Sequence, residues 1–433
     1  MPTLEIRVPG DKSIAHRALM LGTLAEGESR VGGVSDALDV ASTADALRAL
    51  GATIDRDGDD VRVRGRGVAS LRPPAASIDC GNSGTTARFT IGVAAALRGE
   101  TTLTGDASLR RRPMERIAAP LRLAGADIDY LAAEDRLPLR VRGGSLNPIA
   151  HRSAVASAQV KSALLLAGVA AGIDVSVEEP VLSRDHTERM LRSMGATVES
   201  FERDGFAGVR LSAPAQLSPV QTVLPGDFSS AAFLLAAACI GGGARIALRG
   251  VGVNPTRTGL LDVLARMGGD VVVDERREAG GEPVADLHAG PADLVSTRVV
   301  GDEAVRLVDE LPLLGVLAAH ARGETAVSGA AELRAKESDR IHALCTNLRV
   351  LGVDVEERPD GFVIRGDERP LSGSVRSFGD HRIAMAFAVL GLRAGSSIEV
   401  DDLEVAAVSF PGFLTELARL RESRPIIIGG GAT

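Results

Sequence analysis

Lysines and arginines recur where apolar segments begin, the place at which chemistry on anions would need them. Lys12 and Arg17 lie in PGDKSIAHRALMLG, Arg88 in CGNSGTTARFTIG, Arg112 closes SLRRR, and Lys161 lies in ASAQVKSALLLAG. Arg184 stands in SRDHTERM, Lys336 and Arg340 in AKESDR, and Arg382 in FGDHRIAMAF. A helix N-terminus presents unsatisfied N–H groups and roughly half a positive charge, which suits phosphate or carboxylate. A cation in the same first turn opposes the dipole and needs a separate reason. An ordered surface explains any one of them alone, but it explains poorly the same placement in head after head. Arginine grips carboxylate and phosphate with two parallel bonds, whereas lysine supplies a movable point charge.

Carboxylates stand inside this basic set. Asp309 and Glu310 open one apolar segment, and Glu337 lies between Lys336 and Arg340. Singly, each is an ordinary first-turn acid or half of a surface helix pair. Within a cation-lined cleft they have the makings of proton transfer at an uncharged group of a bound substrate. His381, between Asp380 and Arg382, joins them; a lone histidine is more often structural, but its flanking charges and head position suit proton transfer. His16 and His186 adjoin heads, while His151, His288, His320 and His342 lack a supporting constellation. There is no zinc spacing, calcium loop or Walker A sequence, and GNSGTT is a weak dinucleotide match, so neither metal nor nucleotide cofactor is expected.

These residues need elements to position them, and the chain repeats itself. LRALGATID, LRLAGADID, LRSMGATVE, LARMGGDVV and LRVLGVDVE each end a leucine-spaced helix at a glycine, namely Gly51, Gly125, Gly195, Gly268 or Gly352, and then enter a β-branched run. Six heads open the units: PGDKSIAHRALMLG, CGNSGTTARFTIG, ASAQVKSALLLAG, PGDFSSAAFLLAA, VDELPLLGVLAA and FGDHRIAMAFAVL. The repeats are too far apart for a solenoid and read as small subdomains. The pattern predicts six βαβαββ-like units, the first strand of the first unit at Leu4 to Val8. Corresponding helix ends of a repeat fold tend to share one side, so two groups of heads would form one anion-attracting cleft.

Composition sets the frame. The chain has 433 residues, 45% hydrophobic and 24% charged, which calls for more than one compact domain and excludes a disordered or collagen-like chain. A net charge of -8, 3% aromatic residues and no tryptophan argue against a dedicated nucleic-acid binder. Its 3 cysteines form no disulfide framework, which points to a reducing, cytoplasmic setting. The N-terminus lacks the marks of a signal peptide. The apolar run Ala231 to Ile240 is too short to span a membrane and is expected to be a buried helix. RPIIIGGGAT at the end is read as a short strand and a loose tail.

PGDKSIAHR, GNSGTTAR, LRRRPM, ASAQVKSALLLAG, SRDHTERM, PGDFSSAAF, DELPLL, AKESDR and GDHRIAMAF, in this order from Val8 to about Leu417, closely resemble the EPSP synthase family. The resemblance implies an α/β fold of two domains, each with three βαβαββ units around a pseudo-threefold axis: residues 9–224, and residues 1–8 with 225–433, the site lying in the cleft. It implies carboxyvinyl transfer from phosphoenolpyruvate to the 5-hydroxyl of shikimate 3-phosphate, in aromatic amino acid biosynthesis, by a cytoplasmic enzyme that is the target of glyphosate. A monomer without cofactor, metal, nucleic-acid or membrane partner is expected.

Residue by residue, the resemblance places Lys12, Ser13, Arg17, Ser157, Ala158, Gln159, Arg184, Asp309 and Lys336 on shikimate 3-phosphate. Lys12, Gly84, Arg112, Gln159, Arg340 and Arg382 fall on phosphoenolpyruvate, with Asn82 and Arg88 nearby. Asp309, Glu337, Lys12 and His381 are the catalytic set. The chain departs from many members at Ala158, where they have serine, and from some at Phe89, where they have proline. It also has Val408-Ser409-Phe410-Pro411 where some have Lys-Thr-Phe-Pro. UDP-N-acetylglucosamine enolpyruvyl transferase is the nearest alternative, but SLRRR lacks the cysteine many of its members carry there. Cys80, Cys239 and Cys345 are expected to be buried or inert. RNA 3'-phosphate cyclase fits the acidic balance and six units less well, and a non-catalytic anion scaffold does not explain the carboxylates.

Overall fold

The computed structural model describes residues 3–214, 216–241 and 243–422, so the expected C-terminal strand lies outside the described residues. The chain divides into two compact units, one of Pro9–Pro225 with Glu278–Pro283, the other of Met1–Val8, Gly226–Arg277 and Val284–Thr433. The six residues Glu278–Pro283 thus group with the first unit, although the sequence pattern leaves them in the second.

Among the described residues there are five four-stranded sheets and a two-stranded one. A single device builds the larger ones. Ile78–Asp79 runs parallel to Gly99–Thr104, which pairs antiparallel with Leu139–Gly143, and this in turn with Asp127–Tyr130. The parallel step requires a crossover, filled by the helix Gly84–Ala96, while the antiparallel steps need only a helix return or a tight turn. Period-two alternation sets the register: Leu103, Val141 and Ile128 point into the core, and Arg140 and Asp129, opposite one another, form an ion pair of 2.8 Å on the outer face.

The first strand is a correction. Thr3–Ile6 does not open the first repeat; it pairs in parallel with Arg245–Gly252 and completes the fourth. The first repeat is instead completed by Gln221–Val223, parallel to Glu26–Gly32. The chain leaves one unit at Val8 and re-enters it at Gly226, so a strand before Val8 stays with that unit. Among the described residues the last repeat is shorter: Ser372–Val375 pairs with Ser397–Val400, and a 3-10 turn and the helix Phe413–Glu422 follow.

Each head opens a helix that is buried nearly throughout. Lys12–Leu24, Gly84–Ala96 and Ala158–Ala171 form the core of the first unit, and Phe228–Gly241, Leu311–His320 and His381–Leu390 that of the second. Small residues permit close packing: a Cβ on Gly92 would lie 2.2 Å from the Ala163 carbonyl oxygen, which only glycine avoids. No described helix is long and apolar enough to cross a membrane.

The outer helices end as the glycines predict. Gly51, Gly125, Gly195, Gly268 and Gly352 have φ of 98°, 108°, 94°, 80° and 75°, all left-handed. Paired backbone bonds accompany them, such as Gly51 N–H to Arg48 O and Ala52 N–H to Leu47 O, the 5→2 and 6→1 closure of a Schellman motif. The preceding arginines add a fastening that periodicity does not disclose: Arg48, Arg122 and Arg192 donate through Nε to Ile54 O, Ile128 O and Val198 O at 3.2, 2.9 and 2.8 Å. Each ties its helix to the strand that follows.

Candidate active site

In the unit Pro9–Pro225, the Asp11 side chain caps the helix Lys12–Leu24 by accepting the Ile14 N–H at 2.9 Å. This fixes Lys12 and Ser13 in the first turn. Lys12 Nζ lies 2.6 Å from Asp39 Oδ2, both side chains being largely covered. Arg17, one turn on, points inward: its guanidinium donates to Thr187 Oγ1 at 2.6 Å, Ser162 Oγ at 2.9 Å and Ser13 O at 2.7 Å, and lies over the Phe89 ring. Burial pulls its pKa down to about 10 against the opposing pull of Glu188. Arg17 thus joins three helices before it meets any ligand.

Ser83 caps the helix Gly84–Ala96, its side chain accepting from Thr86 N–H. Gly84 is the first helical residue, beside two guanidinium groups. Arg88 donates to Gln159 Oε1 at 2.7 Å and to Pro113 O at 3.0 Å; Arg112 donates to Asn82 Oδ1 at 2.5 Å and Ser108 Oγ at 3.3 Å. Gln159 in turn donates to Thr85 Oγ1 at 2.9 Å, linking this helix to Ala158–Ala171. Ser157 caps that second helix, so Ala158, at its first position, has an N–H without an intrahelical acceptor. Arg184 lies in the turn before the helix His186–Ser193. Beneath these heads, His16 Nδ1 meets Thr43 Oγ1 at 2.6 Å, and Thr43 meets Thr86 Oγ1 at 2.6 Å. Burial depresses the His16 pKa to about 3, so the ring is neutral.

In the other unit Asp309 sits in the 3-10 turn Val308–Glu310 that leads into Leu311–His320. Its Oδ1 lies 3.3 Å from Arg340 Nη1 and 3.7 Å from Lys336 Nζ, and its Oδ2 3.8 Å from Arg382 Nη2. Three cations of the sequence pattern therefore face one carboxylate. Glu337 Oε2 accepts from Arg340 Nη2 at 2.5 Å, bringing both expected acid/base groups onto one arginine. Arg340 is 1% exposed and also donates through Nε to Asp380 Oδ2 at 2.8 Å. Burial works against its charge, but Asp380, Glu337 and Asp309 outweigh it and raise its pKa. Burial likewise works to raise Asp380, and Arg340 overrides it, leaving the carboxyl below its ordinary range. Asp380 caps the helix His381–Leu390 by accepting from Arg382 N–H, which seats buried His381 and Arg382 in the first turn. Val408 ends a 3-10 turn, and Phe410, two residues on, is buried against Phe413.

The geometry can hold anions at several fixed cations and move protons at Asp309 and Glu337. It also shows partnerships that the motifs do not. Asp39, the partner of Lys12, is a first-turn acid that the helix dipole alone would account for. Glu310 is fully buried, accepts from Ser229 Oγ and stands 3.7 Å from Arg382 Nη1. Arg88 recurs among the heads, yet its grip on Gln159 emerges only in three dimensions. The cysteines are buried and their pKa values are pushed up to about 12 by burial, so none is an activated thiolate. Among the described residues no group of three or more His, Cys, Asp or Glu could hold a metal ion.

Comparison with known proteins places this arrangement. The model of the family "EPSP synthase (3-phosphoshikimate 1-carboxyvinyltransferase)" matches residues 3–417. The 3-phosphoshikimate 1-carboxyvinyltransferase of Gloeobacter violaceus is 52% identical over 421 residues, 96% of each chain, and that of Geobacter metallireducens 47% over 416 residues, also 96% of each. The EPSP synthase structure from Acinetobacter baumannii superposes with a TM-score of 0.83 at 41% identity, covering 98% of this chain and 96% of that one. The enolpyruvyl transferase NikO from Streptomyces tendae, at 16% identity and a TM-score of 0.73 over 96% and 94% of the two chains, shares the fold. With caps, cations and carboxylates in place along the same span, the chain belongs to the EPSP synthase family.

Proposed function

We infer that this chain is an enzyme that transfers the carboxyvinyl group of phosphoenolpyruvate to the 5-hydroxyl of shikimate 3-phosphate and releases phosphate. The observation that carries the reading is Asp309, a carboxylate faced by Lys336, Arg340 and Arg382, with Glu337 on the same arginine. Such a group can accept a hydroxyl proton while its neighbours hold anionic substrate.

In the addition, the 5-hydroxyl oxygen bonds to the enol carbon of phosphoenolpyruvate, the hydroxyl proton leaves, and the methylene carbon gains a proton. In the elimination, the bond to the phosphate oxygen breaks, a proton leaves the new methyl group, and the double bond returns. We assign Asp309 to the hydroxyl side and Glu337 to the methylene side, with Lys12 and His381 assisting proton movement and phosphate departure. Ser13, Arg17, Ser157, Ala158, Gln159, Arg184 and Lys336, with Lys12 and Asp309, are assigned to shikimate 3-phosphate. Gly84, Arg112, Arg340 and Arg382, with Lys12 and Gln159, are assigned to phosphoenolpyruvate. Arg17 and Arg340 are already held by protein partners, so their role rests on fixed charge and shape as much as direct contact.

We assign the enzyme to the reducing cytoplasm, with which its buried thiols accord, and to a monomeric state that light scattering checks. The decisive assay is phosphate release from phosphoenolpyruvate with shikimate 3-phosphate or UDP-N-acetylglucosamine as co-substrate. Release with the first supports the reading, and release only with the second overturns it.

A further inference from the structure

Behind the heads of the unit Pro9–Pro225 lies a group of buried charges that the reaction does not use. Glu179 ends the strand Val175–Glu179, which is paired on both sides, with Ile149–Arg152 and with Phe206–Leu211. Glu179 itself pairs with Ala207 of the second, so its carboxylate projects from a strand end held on one side. Oε2 accepts the Ser157 N–H at 3.1 Å, and Oε1 accepts the Ser183 N–H at 2.8 Å. The Ser183 hydroxyl reaches the same carboxylate, 2.7 Å from Oε1 and 2.8 Å from Oε2. Lys161 Nζ closes the cluster, 2.7 Å from Glu179 Oε1, 2.9 Å from Glu188 Oε1 and donating to Ser183 O at 3.2 Å. The side chains of Lys161, Glu179 and Glu188 are 2%, 2% and 3% exposed.

Ser157 and Ser183 belong to segments far apart in sequence. The first caps the helix that carries Ala158 and Gln159; the second directly precedes Arg184. We propose that Glu179, held by Lys161, is a positioning residue that sets the spacing between the Ser157–Gln159 segment and Arg184 and thereby shapes the shikimate 3-phosphate site. This rests on the functional reading given above. An acid close to a bound phosphate is unfavourable on charge alone, so its position calls for a compensating role. Bracketing two backbone N–H groups from separate loops is such a role, and Lys161 offsets the charge. Burial works to lower the Lys161 pKa, while Glu188 and Glu179 outweigh it and leave it raised, so the cluster keeps its cation.

The test titrates shikimate 3-phosphate alone into the full chain by calorimetry, for wild type, Glu179→Gln and Glu188→Gln. Glu179→Gln keeps Lys161 paired with Glu188, so no buried ammonium is orphaned, but an amide cannot accept from Ser157, Ser183 and Lys161 together. Glu188→Gln removes a comparable charge from the same lysine and, among the described residues, no loop N–H acceptor. Positioning predicts that Glu179→Gln weakens binding by about tenfold or more and Glu188→Gln by clearly less. Steady-state kinetics then show KM for shikimate 3-phosphate rising in Glu179→Gln with KM for phosphoenolpyruvate little changed. Tighter binding in Glu179→Gln marks a purely electrostatic role and overturns the assignment, as does equal weakening in both variants. A wild type that fails to bind shikimate 3-phosphate overturns the functional reading together with this one; a wild type that binds while Glu179→Gln matches it overturns this one alone.

Discussion

Adding a single methyl group at Gly84 tests the site where its geometry is tightest. An ideal Cβ there would lie 2.7 Å from Arg88 Nη1 and 3.3 Å from Arg112 Nη1, with no positive φ to add backbone strain. Restoring ordinary contact moves the Arg88 guanidinium by about 0.7 Å. A shift of that size away from Gln159 stretches their 2.7 Å bond to about 3.4 Å, at the weak end of hydrogen bonding. Losing a hydrogen bond to a charged group outright costs about 1.5 kcal/mol, or about tenfold in an equilibrium, so weakening one costs less. Gly84→Ala is therefore expected to raise KM for phosphoenolpyruvate severalfold, up to about tenfold, with the protein still folded because the displaced atoms are the far ends of flexible side chains. The assay is initial-rate phosphate release with phosphoenolpyruvate varied at saturating shikimate 3-phosphate. A second arm adds glyphosate, to which the wild type is expected to be sensitive: being longer than phosphoenolpyruvate, it is crowded more, so its inhibition constant should rise by the larger factor. An unchanged KM refutes the steric argument, and equal factors for inhibitor and substrate refute its second arm.

Asp309→Asn and Glu337→Gln should each lower kcat by about 10²-fold or more in a protein that still melts cooperatively; wild-type turnover in either removes that residue from the chemistry. His320 is buried, neither ring nitrogen has a hydrogen-bond partner, and burial lowers its pKa from 6.5 to about 4. The unfolded chain takes up that proton first, so its contribution is complete above pH 6.5 and is lost toward pH 4, by up to about 1.4 kcal/mol per pH unit. Urea titrations across this window should show a slope about one proton shallower in His320→Leu, and parallel slopes would contradict it. Gly195→Ala, which forces alanine to φ 94°, should cost about 1 kcal/mol of unfolding free energy, whereas Gly144→Ala, with open space and no positive φ, should cost close to nothing; similar values would mean that the turn, not the φ, sets stability.

The tail glycines were legible because a left-handed C-cap selects a residue type directly, and all five adopt it. Arg340 and Arg382 were legible because each contradicts the dipole of the helix it opens, and they do meet Asp309, together with Lys336 from the turn before Arg340–Val350. Asp39 was hidden by the opposite circumstance: an acid in a first turn needs no further explanation, so nothing singles it out from Glu115 or Asp262. Glu179 lies in VEEP, where only burial separates it from an exposed strand-end acid. The exchange of first strands escaped because TLEI and QTV both read as strands, and which sheet a short strand joins depends on where the chain passes between units.

That exchange also dictates an order of events during synthesis. Thr3–Ile6 is made before its partner Arg245–Leu248, which follows more than two hundred residues later, so this strand must wait unpaired while the unit Pro9–Pro225 is made. The strand Glu26–Gly32 meanwhile gains its antiparallel neighbour early but keeps one open edge until Gln221–Val223 appears. An open edge is a template for pairing with another nascent chain. The charged run EGESR on that strand, with arginines on its early partner Asp60–Arg66, guards the exposed interval against such capture.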